Sequence, residues 1–170
     1  ARVKAYRLIG YENRMLKAED FKDDTKDAGE IGAGHTVTAL YELVPPGVEI
    51  KLDKSIPLKY QSTKELTTEA KTGELLTLKL RYKEPDGAKS KEISYPIRDL
   101  GTSFMEATQD FKFASSVASF GMILRDSKYK GNSSLDKILK WAEEGKGEDK
   151  SGYRKEFISL VHKAKEVLKK

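Results

Sequence analysis

Residues 75–97 read LLTLKLRYKEPDGAKSKEISYPI, and this stretch decides the first half of the fold. Leu76, Leu78, Leu80 and Tyr82 fall on one side of an extended chain, and Thr77, Lys79 and Arg81 fall on the other. That period of two is what a strand with one covered face requires. Glu84-Pro85-Asp86-Gly87 then supplies turn chemistry, because proline presets one φ angle and glycine accepts a positive one. Ile93, Tyr95 and Ile97 resume the alternation, so a hairpin is predicted over residues 75–98.

Toward the N-terminus the same period recurs. In His35 to Val44 it places Val37, Ala39, Tyr41 and Leu43 inward and Thr36, Thr38 and Glu42 outward, with Leu40 breaking the alternation. Val3 to Tyr11 and Val48 to Tyr60 are further strand candidates, the second opened by Pro45-Pro46-Gly47 and interrupted by Pro57. Residues 1–100 are therefore expected to form an antiparallel, sandwich-like β part.

Toward the C-terminus the period changes from two to about 3.6. Phe104, Ala107, Phe111, Ala114, Ala118 and Met122 mark one stripe of a long helix from Thr102 onward, and Ser103 with Glu106 has capping-box spacing. A second helix is predicted over Ser134 to Glu144, burying Leu135, Ile138, Leu139 and Ala142 with Trp141 at its edge. Gly145 and Gly147 close it, and a third helix follows with Tyr153, Phe157, Leu160, Val161, Ala164 and Leu168 inward. The class is thus α+β: a β-rich part over 1–100 and three helices over 101–170 packing on it as one compact unit of a longer protein. The start at Ala1, without an initiator methionine, is read as that of a fragment or a processed chain.

Composition narrows the function classes. With 170 residues and 38% hydrophobic content the chain can bury a core. Its 32 basic and 27 acidic side chains are interspersed: 18 and 17 over residues 1–100, 14 and 10 over the remainder. No block is basic enough to demand nucleic acid. Lys163, Lys165, Lys169 and Lys170 lie at a helical C-terminus, where cations complement the exposed carbonyls. No cysteine is present, which removes thiol nucleophiles, disulfides and zinc-thiolate sites together. No apolar run is long enough to span a bilayer.

The loop Glu19-Asp20-Phe21-Lys22-Asp23-Asp24-Thr25-Lys26-Asp27-Ala28-Gly29-Glu30 is the most conspicuous site for chemistry. Asp20, Asp23, Asp24 and Asp27 are its candidate oxygen ligands for a hard cation such as calcium. The match to a calcium loop is poor, since an EF-hand beginning at Asp23 needs glycine at 28 and glutamate at 34, where this chain has Ala28 and Gly34. Lys22 and Lys26 also sit inside the cluster, so no metal and no cofactor are assigned. Gly29, Gly32 and Gly34 lead into a strand in the order G-x-x-G-x-G, unlike a dinucleotide fingerprint, and are expected to permit tight entry at His35. The only histidines are His35 and His162, and no G-x-S-x-G elbow occurs, so no catalytic residues and no enzyme activity are expected.

Residues 5–14 (AYRLIGYENR), Glu19-Asp20-Phe21, Asp24, residues 27–35 (DAGEIGAGH) and 37–42 (VTALYE) carry a resemblance. Phe111 to Ala114, Phe120-Gly121-Met122, Leu124 to Ser127, Tyr129-Lys130-Gly131, Gly152-Tyr153-Arg154 and Glu156-Phe157 extend it across nearly the whole chain. The chain resembles the C-terminal domain, of uncharacterised function, of bacterial von Willebrand factor type A proteins. The resemblance implies an export or lipoprotein signal and a type A domain upstream, hence an extracytoplasmic location with that upstream domain as partner. The D-x-S-x-S adhesion motif of type A domains is absent from these 170 residues, so a metal-dependent ligand site is not carried over. What the resemblance implies is a non-catalytic structural or protein-interaction module. Asp27, Gly29, Glu30, Gly32, Gly34 and His35 form its most recognisable loop, and a cation- or ligand-binding role for residues 19–30 is the alternative.

Overall fold

The computed structural model describes residues 2–11, 15, 17–26, 29–49 and 66–168. The chain divides into two compact units, Ala1–Leu100 and Gly101–Lys170. In the first, strands β1 (Ala5–Ile9) and β2 (Leu40–Val44) pair antiparallel, and strands β3 (Glu74–Tyr82) and β4 (Lys91–Arg98) form a second antiparallel pair. In the second unit, helices α1 (Gln109–Leu124), α2 (Leu135–Glu144) and α3 (Tyr153–Val167) pack together. The α+β class therefore stands.

The sandwich is not shown. Among the described residues the strands make two separate two-stranded sheets, and no described residue of the first unit is fully buried. A sandwich interior needs two stacked faces with side chains interdigitating between them. The candidate strand Val48 to Tyr60 lies mostly outside the described residues.

The β1–β2 pair is short because β1 offers only five residues to pair, in the register Ala5↔Val44, Arg7↔Glu42, Ile9↔Leu40. His35 to Ala39 therefore lie ahead of the strand rather than within it. Of the residues expected inward, Leu43 is half-buried while Tyr41 and Val37 are exposed, and Leu40 and Val44 on the other face are half-buried as well, so neither face of β2 is fully covered. Leu40, opposite Ile9, shares its face with Arg7, Glu42 and Val44. An Arg7–Glu42 ion pair closes that face.

The predicted hairpin forms in the register Leu76↔Ile97, Leu78↔Tyr95, Leu80↔Ile93, Tyr82↔Lys91, with an irregularity between Glu74 and Leu76. Its turn is held by the Gly87 N–H donating to the Glu84 carbonyl at 2.9 Å. Pro96, opposite Thr77, removes one ladder donor, which a strand with an open edge tolerates.

In the helical unit the capping box at Ser103 is present, but on a single 3-10 turn, Phe104–Glu106, and not at the start of a long helix. The Ser103 N–H and Oγ reach the Glu106 carboxylate at 2.9 and 2.7 Å. Ala107 is extended, so α1 opens separately, with Thr108 Oγ1 accepting from the Phe111 N–H at 3.2 Å. Ser134 caps α2 in the same way through Lys137. Asp149 caps α3, its two oxygens accepting from the N–H groups of Arg154 at 3.0 Å and Lys155 at 2.8 Å.

Met122, Ile138, Ala142, Ile158 and Val161 form the core. Phe157 stands edge-on to Phe113 and Phe120, with ring centroids 5.3 and 5.6 Å apart. Ile158 replaces Tyr153, Leu160 and Leu168 as an inward residue of α3, and those three are exposed. Of the predicted inward residues Val161 is buried and Phe157 and Ala164 are half-buried, so the covered side of α3 is turned from the predicted stripe toward Ile158. Gly145, which ends α2, admits α1 to backbone contact: a Cβ there would lie 2.6 Å from the Phe113 nitrogen and 2.7 Å from the Gln109 carbonyl oxygen.

Candidate functional site

The acidic loop is built from a 3-10 turn, Asp20–Lys22, followed by an Asx turn in which Asp23 Oδ1 accepts from the Thr25 N–H at 2.9 Å and its hydroxyl at 2.7 Å. That turn sends the Asp24 side chain onto the polar face of the β3–β4 hairpin. There Asp24 Oδ1 accepts from Arg81 Nη2 at 3.2 Å and from the Ser90 N–H at 3.3 Å, and also from the Ser90 hydroxyl. Lys83 Nζ donates to the Asp24 carbonyl, and the Arg81 guanidinium lies 6.0 Å from the centre of the Phe21 ring. Glu92, across the hairpin, completes the set with Lys79 at 3.3 Å and Arg81 at 3.7 Å.

The electrostatics follow this geometry. The Ser90 hydroxyl, opposed by partial desolvation and aided by Arg81, holds the Asp24 carboxyl below its ordinary value. The Thr25 hydroxyl and N–H do the same for Asp23, and the Lys79 hydrogen bond lowers Glu92. These groups are carboxylates at neutral pH and already have donors.

Of the four ligand candidates, the three among the described residues are therefore not assembled around a common point. Asp24 faces Arg81 and Ser90, Asp23 faces its own turn, Asp20 lies 3.8 Å from Lys26, and Asp27 lies outside the described residues. Among the described residues no three histidine or carboxylate side chains come together in a way that could hold a metal ion.

Of the glycine-rich loop, Gly29 and Gly34 use positive φ angles of 126° and 78°. Gly32 closes a turn through the His35 N–H at 3.1 Å, and its missing side chain leaves room for the His35 ring. Glu30 and His35 are exposed.

Loop and hairpin together border an open cleft of about 850 Å³ between Asp20–Lys26, Gly29–Ile31 and the hairpin's Arg81–Gly87 end. Arg81, Lys83, Ser90 and Phe21 are the residues that sequence reasoning missed. Strand alternation placed Arg81 on the polar face, but nothing local pointed to a partner 57 residues away.

The opposite face of the hairpin is apolar apart from Lys91 at its turn end. Leu76, Leu78, Leu80 and Tyr82 on β3 oppose Ile97, Tyr95, Ile93 and Lys91 on β4, and of these Leu80, Tyr82, Tyr95 and Ile97 are exposed. Leu76, Leu78 and Ile93 are half-buried. Leaving the exposed four open to water is costly, since each buried Å² of apolar surface is worth about 25 cal/mol. No helix among the described residues is long and apolar enough to cross a membrane.

Comparison with known proteins matches residues 1–167 to the family described as uncharacterized protein YfbK, C-terminal. The uncharacterized protein YfbK of Escherichia coli (strain K12) is 43% identical over 162 residues, which are 95% of this chain and 27% of that protein. The chain thus spans about a quarter of the length of the relative it matches. No solved structure matches.

Proposed function

This chain belongs to the YfbK C-terminal family, and from that premise we propose that it is a non-catalytic protein-interaction module that packs against another part of a longer protein. The observation that carries the reading is the apolar hairpin face with Leu80, Tyr82, Tyr95 and Ile97 open to water. The relative extends well beyond the matched 27%, so a covalently linked occupant for such a face is at hand. The resemblance to type A proteins supports a von Willebrand factor type A domain as that occupant, and it is also the ground for an extracytoplasmic location.

The test is a titration of this chain with the part of E. coli YfbK that lies outside the matched segment. Binding is expected, and Leu80→Asp combined with Tyr95→Ser should weaken it about tenfold or more, since central aromatic and aliphatic anchors dominate such contacts. Tight binding that ignores both substitutions, or no binding at all, would remove the reading.

The alternative is a cation- or ligand-binding module using residues 19–30, and the cleft beside that loop is the observation in its favour. It predicts that calcium raises the unfolding temperature relative to chelator, because a ligand that binds only the folded state stabilises it. On the interaction reading the curves with calcium, magnesium and chelator coincide.

A further inference from the structure

The two faces of the β3–β4 hairpin share one backbone. Leu80 and Tyr82 alternate with Arg81 on β3, and Ile93 and Tyr95 alternate with Glu92 and Ser94 on β4. A contact that fixes Arg81 or Glu92 therefore also fixes the chain from which the apolar side chains stand. A hairpin of two strands is marginal in water by itself, and no third strand joins this one among the described residues. Its turn end is held from the polar face. Asp24 Oδ1 accepts from Arg81 Nη2 at 3.2 Å on β3 and from the Ser90 N–H at 3.3 Å, one residue ahead of β4, so a single carboxylate spans both strands. The Ser90 hydroxyl donates to the same oxygen, and Lys83 Nζ donates to the Asp24 carbonyl. Phe21, from the same loop, lies 6.0 Å from the Arg81 guanidinium. Within the hairpin, Glu92 adds its own ties to Lys79 and Arg81.

We propose that residues 20–26 are a clamp that preorganises the hairpin for docking, with Asp24 as a positioning residue for the apolar face on the far side of the sheet. This rests on the docking reading given above and names what regulates that face. A surface whose strands are already ordered binds more tightly, because less conformational freedom is lost on association. The loop contacts lie on the polar side, so the clamp acts through the hairpin's backbone and not by touching the partner. Its grip is at the turn end, behind Leu80 and Tyr82, and weakens toward Leu76 and Ile97 at the open end. Whatever draws the loop away from Arg81 and Ser90 therefore lowers the affinity of the opposite face.

The experiment has two arms. In the first, amide exchange is followed on this chain alone. Asp24→Asn and Ser90→Ala are each expected to lower protection of the β3 and β4 amides about threefold or more, most strongly near Arg81 and Glu92. Protection of β1, β2 and the three helices should stay at the parent level, which separates the clamp from a general loss of stability. Ser90→Thr keeps the hydroxyl and should keep the protection. The double variant Asp24→Asn with Ser90→Ala should lose little more than either single one, since both remove the same contact. In the second arm the part of E. coli YfbK outside the matched segment is titrated into parent and variants. Asp24→Asn and Ser90→Ala should weaken binding about threefold or more, and Ser90→Thr should not. Hairpin protection or affinity indifferent to Asp24→Asn would overturn the clamp and leave the docking reading standing. An equal loss in Ser90→Thr and Ser90→Ala would overturn it too. Absence of binding by the parent chain would instead remove the docking reading, and the clamp with it.

Discussion

At the residue scale, Asp24 ties the acidic loop to the hairpin. Its carboxylate accepts from Arg81 and Ser90, 57 and 66 residues away in sequence, so one short side chain fixes the loop against a separate element. Because the folded pKa is depressed, mainly by the Ser90 hydroxyl, the contribution to stability is fully present above the ordinary value of 3.8. It is lost as pH falls through the lower, folded value. Protection of the residue 20–26 amides relative to their intrinsic exchange is therefore expected to be flat from neutral pH to about pH 4 and to fall below that. Asp24→Asn should show fast exchange already at neutral pH and lose the acid transition. Unchanged protection in the Asn variant would mean that the loop is held by something other than this contact.

At the element scale, the helical unit rests on how closely α1 and the end of α2 approach. Gly145 has an ordinary helical conformation, so its requirement is space, not a positive φ. Gly145→Ala would thrust a methyl group to within 2.6 Å of the α1 backbone and should cost about 1–3 kcal/mol, read as a lowered denaturation midpoint with the slope unchanged. Sequence showed Gly145 only as a helix terminator, since a terminator and a close-contact glycine look alike without the neighbouring helix. The hairpin and all three helices were legible, because alternation, turn residues and caps act within a few residues of one another. The start of β2 was not, because its length is set by a five-residue partner some thirty positions upstream. The same limit explains the exposure of Tyr41 and the omission of Ile158. Periodicity identifies an apolar stripe, and only the packing partners decide which of two apolar stripes on α3 is buried.

At the scale of the whole molecule, residues 1–100 are near-balanced in charge and residues 101–170 carry a small excess of base over acid, so neither half carries a strong excess of one sign. The apolar side of the hairpin is the surface proposed to take a domain of the longer protein. The candidate site was half legible in the sequence. The loop's composition drew attention to Asp20, Asp23, Asp24 and Asp27, but composition gives the number of carboxylates and not the direction in which each points. The Asx turn at Asp23 and the donors of Arg81 and Ser90 turn a cluster of acids into a fastening.

The central claim, that the apolar hairpin face is a docking surface, is tested most directly by amide hydrogen exchange over residues 74–98. It would be measured on this chain alone and after addition of the part of E. coli YfbK outside the matched segment. The account predicts that exchange in β3 and β4 slows about tenfold or more on addition, and that Leu80→Asp with Tyr95→Ser removes the effect. Equal exchange in the hairpin with and without the added protein would contradict it.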